Sequence, residues 1–142
     1  MELKIDKQNL LFIDDDSVTN YIHNFIISEQ IKYDGGDIHF CVNGLEAIEY
    51  LRHLIIHEES SKPLFPSIIF LDINMPELDG FGFLDEYRKL PKEFIINTRI
   101  IMLTSSLNDS DKNKALYYKE VKNYLQKPLG ADRLNRILSQ NT

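Results

Sequence analysis

Ser67-Ile68-Ile69-Phe70-Leu71-Asp72-Ile73-Asn74-Met75-Pro76 is the stretch that decides how this chain folds. Four consecutive apolar residues, Ile68, Ile69, Phe70 and Leu71, have nothing polar alternating with them, which predicts a strand buried on both faces. Met75-Pro76 and then Asp79-Gly80 are turn signals, so the strand delivers Asp72 into a loop. Open parallel α/β sheets bind ligands outside the carboxyl ends of their strands. Asp72 therefore stands where such a fold does chemistry, although an isolated aspartate there most often only starts a turn.

The same punctuation recurs on either side. Leu10-Leu11-Phe12-Ile13 runs into Asp14-Asp15-Asp16. Asp16 or Ser17 can cap a following helix, and Val18, Tyr21, Ile22, Phe25 and Ile26 repeat at the spacing of one helical face. Residues 38–42 predict a second strand after Gly35-Gly36, and Asn43-Gly44 opens a helix with Ala47, Ile48 and Leu51 inward. Residues 57–66, polar with two prolines, predict a long loop. Phe81, Leu84 and Tyr87 form a short helical stripe ended by Pro91. Ile100-Ile101-Met102-Leu103 predicts a fourth strand meeting Thr104-Ser105-Ser106. A thin helix over 108–119, a fifth strand over 121–126 ending at Lys127-Pro128, and a helix marked by Leu134, Ile137 and Leu138 complete the chain. Five strands alternating with five helices predict an α/β fold with crossover connections and a parallel sheet.

A length of 142 residues suits one domain spanning 1–142, which buries roughly 70% of its unfolded surface. A formal net charge of −6 argues against nucleic acid as the main partner. Cys41, the single cysteine, lies among apolar residues and predicts a buried thiol without an internal disulfide. The first residues hold no signal-peptide core, and the longest apolar runs are four residues, far short of a membrane span. A cytoplasmic protein with no membrane contact is the expectation. His23, His53 and His57 read as surface or boundary residues, and His39 as packing in the second strand.

Gathered together, the strand ends supply Asp14 and Asp15, Asp72, Thr104 and Lys127. If the first and third strands are neighbours, three carboxylates converge where the strand order reverses. They repel one another and call for a cation, and an all-oxygen donor set points to Mg²⁺ rather than zinc. A cation, an ammonium and a hydroxyl are what the oxygens of a phosphoryl group require. Asp72 can then attack phosphorus and become an acyl phosphate. Each element alone has an ordinary explanation: acids cap helices, Lys-Pro makes turns, threonine bonds backbone. Together, at four strand ends, they form one chemical complement.

Phe12-Ile13-Asp14-Asp15-Asp16, Leu71-Asp72-Ile73-Asn74-Met75-Pro76 with Asp79-Gly80, Met102-Leu103-Thr104-Ser105 and Tyr124-Leu125-Gln126-Lys127-Pro128 resemble the receiver domain of two-component response regulators, over nearly the whole chain. The resemblance implies a flavodoxin-like, doubly wound sheet of order 2-1-3-4-5. It makes Asp72 the phosphoacceptor, charged from a histidine kinase or a histidine phosphotransfer protein. Asp14, Asp15, Asp72 and the backbone carbonyl of Asn74 would hold Mg²⁺. Thr104 and Lys127 would bind phosphoryl oxygens, Thr104 and Tyr124 would form the activation switch, and Ser105 would keep the phosphoryl group reachable. Asn74 and Ser106 would border the attacking water. The domain would signal without being an enzyme in the ordinary sense, taking phosphate from small donors and losing it by itself. Output would be a downstream protein docking on the face of the fourth helix, fifth strand and fifth helix, the chain being a monomer or weak homodimer without an output domain. Residues 57–66 and 91–98 are longer than in a minimal receiver.

A rival is a haloacid-dehalogenase-like phosphatase, in which Asp14 is the nucleophile, Asp16 the general acid, and Thr104 and Lys127 phosphate ligands. It leaves Asp72, Asn74, Met75 and Pro76 without a role, and its further acidic ligands could come only from Asp109 and Asp111, in the wrong order relative to Lys127. A receiver that docks without taking phosphate has nothing in its favour, since every reacting group is present.

Overall fold

Each long apolar run becomes a strand. The computed structural model describes residues 8–57, 65–105 and 107–140. Strands β1 (Leu10–Ile13), β2 (Ile38–Cys41), β3 (Ile68–Asp72), β4 (Arg99–Thr104) and β5 (Val121–Gln126) pair in parallel as one sheet of order β2-β1-β3-β4-β5. All residues of β1 and β3 are buried, as central strands lacking polar alternation must be. At the edges polar residues surface: His39 in β2, and Lys122 and Asn123 in β5. His39 lies in β2 as expected, on its exposed side, stacked on Tyr50 with ring centroids 3.9 Å apart.

Helices α1 (Ser17–Phe25), α2 (Gly44–Ile56), α3 (Gly80–Tyr87), α4 (Lys92–Ile95), α5 (Asp109–Leu116) and α6 (Ala131–Ser139) join the strands, with a π-helical segment, Ile26–Ile31, continuing α1. The extra helix relative to the expected five is α4, one turn within 91–98. Phe94 meets Phe65 at 5.7 Å, and the Tyr87 hydroxyl donates to the Ile95 carbonyl at 3.4 Å, which gives the inserted turn something to pack on. Most of the long loop predicted over 57–66 lies outside the described residues.

Successive residues of the strands point to opposite faces and build two cores. Ile13, Leu71 and Met102 pack with Leu51 of α2, Leu84 of α3 and Ala115 of α5. Phe12, Phe70 and Leu103 pack on the other face with Ile27 of the π segment and Leu134 of α6. Phe12 stacks on Phe70 at 4.3 Å, so β1 and β3 are held side by side at the centre. Cys41 is fully buried and its thiol is pushed up to about 12, first by burial and then by Glu46, so it is inert.

The inner face of α1 departs from the predicted stripe. Val18, Tyr21 and Phe25 are 62%, 70% and 46% exposed, whereas Thr19, His23, Ile26 and Ile27 are buried. Those four residues also follow helical spacing (i, i+4, i+7, i+8). The end of α1 nearest the strand tips covers a polar region, so its inward residues there are hydrogen-bonding ones and its apolar ones face outward.

Candidate functional site

The acids after β1 have three separate tasks. Asp16 is the N-cap of α1: its carboxylate accepts from the Val18 N–H at 3.0 Å and from the Thr19 hydroxyl at 2.9 Å. Those two bonds, Thr19 foremost, hold its pKa below the ordinary carboxylate value. Asp14 is buried, and its own N–H donates to the Cys41 carbonyl at 3.1 Å. Its Oδ1 accepts from the Asp16 N–H at 2.9 Å, while Asn20 Nδ2 donates to its backbone oxygen at 2.9 Å. Asp15 is exposed.

Strand register brings Asp72 beside this loop, because Ile13 pairs with Leu71. Asp72 is 3% exposed. The turn after it is tight. Gly80 donates to the Ile73 carbonyl at 2.8 Å, and a Cβ on Gly80 would stand 2.6 Å from the Asp72 carbonyl oxygen. Only glycine lets α3 start this close to the strand end. Asp79 caps α3 through the Gly82 N–H at 2.8 Å. Asn74 is exposed in the intervening loop, and Glu77 adopts the left-handed region at φ 68°.

The last two strands bring the remaining groups. Thr104 is buried at the end of β4, and its carbonyl accepts from the Lys127 N–H at 2.8 Å. The ammonium of Lys127 lies 2.9 Å from Asp14 Oδ2 and 3.1 Å from Asp72 Oδ1. Tyr124 is half-buried with its hydroxyl sealed from solvent beside Thr104. Burial pushes the pKa of that hydroxyl up, Asp111 adds to it, and the Thr104 side chain works against both. Ser105 is exposed, and its carbonyl accepts from Gln126 Nε2 at 3.2 Å; Ser106 lies outside the described residues.

Charge is unbalanced at this centre. Burial, then the Asp14 charge, push Asp72 up to about 6 even with Lys127 opposing them. Burial also works against the charge on Lys127, but its bonds to the two carboxylates prevail and hold it above its ordinary value. Asp14, Asp15 and Asp72 each offer an oxygen within 4.8 Å of the others, the only such cluster among the described residues. Three carboxylates with one ammonium, all oxygen donors and no His or Cys, fit a hard divalent cation such as Mg²⁺.

Sequence reasoning missed two residues of α1. His23, expected at the surface or a boundary, is 1% exposed: its ring lies 5.3 Å from that of Phe12, and its Nε2 accepts from the Leu129 N–H at 3.2 Å. Burial first, with Lys127 adding and Asp14 opposing, pushes it down to about 4, so it is neutral at neutral pH. Asn20, which clamps Asp14, is the other. The 19, 23, 26, 27 spacing could have revealed His23 as inward-facing; nothing local could have named its partner.

A parallel sheet of order 2-1-3-4-5 with carboxylates, a hydroxyl and a lysine at its strand ends defines a class of phosphoryl-handling α/β domain. Residues 10–139 match the response regulator receiver domain, and the chain belongs to that family. A probable methanogenesis regulatory protein, FilR2, from Methanothrix harundinacea is 30% identical over 85% of this chain and 75% of its own length. In contrast, the chain spans 11% of a probable histidine kinase from rice, 28% identical over 116 residues. A two-component response regulator structure from Cytophaga hutchinsonii is 30% identical, with a TM-score of 0.79 over 94% of this chain and 95% of that one. The CheX–CheY–BeF3–Mg complex from Borrelia burgdorferi is 26% identical, with a TM-score of 0.69 over 93% of this chain and 87% of the matched one. No helix among the described residues is long and apolar enough to cross a membrane.

Proposed function

We propose that this receiver takes a phosphoryl group on Asp72 from a histidine kinase or histidine phosphotransfer protein and signals by altered binding to a downstream protein. One observation carries the reading: the Lys127 ammonium bridges Asp14 and Asp72, with Asp15 close enough for all three carboxylates to share a cation. A divalent cation held by Asp14, Asp15, Asp72 and the Asn74 carbonyl would neutralise charge on the phosphoryl oxygens. A carboxylate oxygen of Asp72 forms a bond to phosphorus as the phosphorus–nitrogen bond of a phosphohistidine breaks, and the leaving imidazole keeps the bond's electron pair and takes up a proton. Lys127 and Thr104 stabilise the equatorial oxygens. Loss of phosphate to water reverses the acyl phosphate, with Asn74 bordering the approach. Such chemistry belongs with its kinase in the cytoplasm.

The phosphatase reading has less support. Asp16, its general acid, is engaged as the N-cap of α1 by the Val18 N–H and the Thr19 hydroxyl. Asp109 and Asp111 sit in the first turn of α5, outside the carboxylate cluster.

Intact-protein mass after incubation with Mg²⁺ and acetyl phosphate tests the proposal. Wild type gains one base-labile phosphoryl group, Asp72→Asn gains none, and Asp14→Asn gains it more slowly through weakened metal binding. A label on Asp14, surviving Asp72→Asn, would favour the phosphatase instead.

A further inference from the structure

Lys127 sits between two backbone anchors. Before it lies its own N–H, donated to the Thr104 carbonyl at 2.8 Å. After it comes Pro128, which has no N–H to donate. The next backbone donor is Leu129, buried at 1% exposure, and it donates to His23 Nε2 at 3.2 Å. The ammonium that bridges Asp14 and Asp72 thus hangs on a short segment fixed at one end by β4 and at the other by α1.

Helix α1 also holds the other side of the bridge. Three residues before His23, and so on the same side of the helix, Asn20 donates to the Asp14 backbone oxygen at 2.9 Å. One helix therefore ties together the acid loop after β1 and the lysine loop after β5, whose partners are separated by 106 positions in the His23–Leu129 bond and 113 in the Lys127–Asp14 bond.

We infer that His23 is a positioning residue for phosphoryl transfer to Asp72: by accepting the Leu129 N–H, it sets where the Lys127 ammonium stands relative to Asp14 and Asp72. This rests on the proposed phosphoacceptor role of Asp72. Burial keeps the imidazole neutral, so its Nε2 lone pair is available for that bond. Phenylalanine can occupy the ring's place against Phe12 but cannot accept a hydrogen bond. Glutamine can, through its amide oxygen at about the reach of Nε2.

The experiment follows the rate of Asp72 phosphorylation by acetyl phosphate and Mg²⁺ for wild type, His23→Phe, His23→Gln, Lys127→Ala and the His23→Phe/Lys127→Ala pair, each below its melting temperature. Because a misplacement near 1 Å can cost on the order of 10²-fold, His23→Phe should be slower by about tenfold or more. His23→Gln should regain most of the rate, and His23→Phe should cost little further in the Lys127→Ala background, since the two act through one group. A residue that only stabilises the fold would lower the melting temperature without this rescue or this non-additivity. The bond itself is read in wild type from the ¹⁵N–¹⁵N coupling between the Leu129 amide and His23 Nε2, so the inference stays testable if the Phe variant does not fold. Absence of that coupling, a folded His23→Phe protein at the wild-type rate, or a loss that Gln does not restore would each overturn the role of His23 while wild type still takes phosphate. A wild type that takes no phosphate overturns the receiver chemistry and this role with it.

Discussion

Asp72 is a carboxylate held in an unfavourable place, buried and facing another acid. Its folded pKa, about 6, lies above the ordinary 3.8, first because it is buried and next because Asp14 faces it. Between those two pH values the folded state binds more protons than the unfolded chain, so stability falls as pH rises through that window. Above it the full cost is present, offset in part by Lys127, whose raised pKa supplies stability that is lost only when pH climbs past its ordinary value of 10.5. Metal-free Asp72→Asn should therefore be more stable than wild type at pH 7.5, by about 1–2 kcal/mol, and the gain should vanish near pH 4. Thermal melts at the two pH values check this; equal effects at both would mean that the carboxylate is not carrying that charge. Mg²⁺ should likewise raise the wild-type melting temperature at pH 7.5 more than at pH 5, because protons compete for the same oxygens.

At this scale the groups gathered at the strand ends were legible in the sequence. Asp14, Asp72 and Thr104 follow apolar runs, Lys127 follows the mixed fifth strand, and a parallel sheet brings its strand ends together whatever the intervening helices do. His23 and Asn20 were not, because neither stands at a strand end. The His23–Leu129 bond spans most of the chain, so its meaning exists only after the sheet has closed.

Helix α1 shows what periodicity can and cannot say about an element. The stripe Val18, Tyr21, Phe25 is real, but apolar spacing reports that a face avoids water, not whether the chain's own core or another molecule covers it. The core takes Ile26 and Ile27, and the outward stripe is left beside the acid loop. Exposed apolar residues grouped on one face favour protein contact, and Val18, the first of this group, follows the acid loop directly in the chain. Tyr21→Ala should leave the melting temperature within about 0.5 kcal/mol of wild type and leave phosphorylation by acetyl phosphate unchanged. Transfer from the phosphohistidine partner should slow, since only that donor must dock. Equal loss with both donors would place Tyr21 in the chemistry rather than in recognition. Helix α4 carries the complementary lesson: α3 ends at Tyr87, four residues before the predicted stop at Pro91, which instead caps the start of α4, and no local signal says that Phe94 will find Phe65 and turn a connection into a helical turn.

For the whole molecule, the question is how a phosphoryl group at the strand ends reaches a surface. The sheet is the rigid part, with both faces filled, so the signal must run through groups that have two arrangements. Thr104 is the group we propose for this, buried at the end of β4, with Tyr124 beside it on β5 and the Tyr124 hydroxyl shut away from solvent. A phosphoryl oxygen on Asp72 offers Thr104 a charge-assisted hydrogen bond, stronger than one to a neutral partner. Drawing the hydroxyl toward phosphate changes the space and the bonding around the Tyr124 ring, whose position then shapes the surface of α5, β5 and α6. That surface already exposes Leu107, Leu116 and Tyr117, apolar side chains a partner could cover. Phosphate contacts differ between the two arrangements, and only such a difference lets phosphorylation shift their populations. Backbone NMR shifts before and after phosphorylation should therefore move across residues 108–135 in wild type. Thr104→Ala should accept phosphate yet show those shifts much reduced. If wild-type spectra in that region do not change, the output surface lies elsewhere; if Thr104→Ala responds as fully as wild type, the surface is right but Thr104 does not drive it.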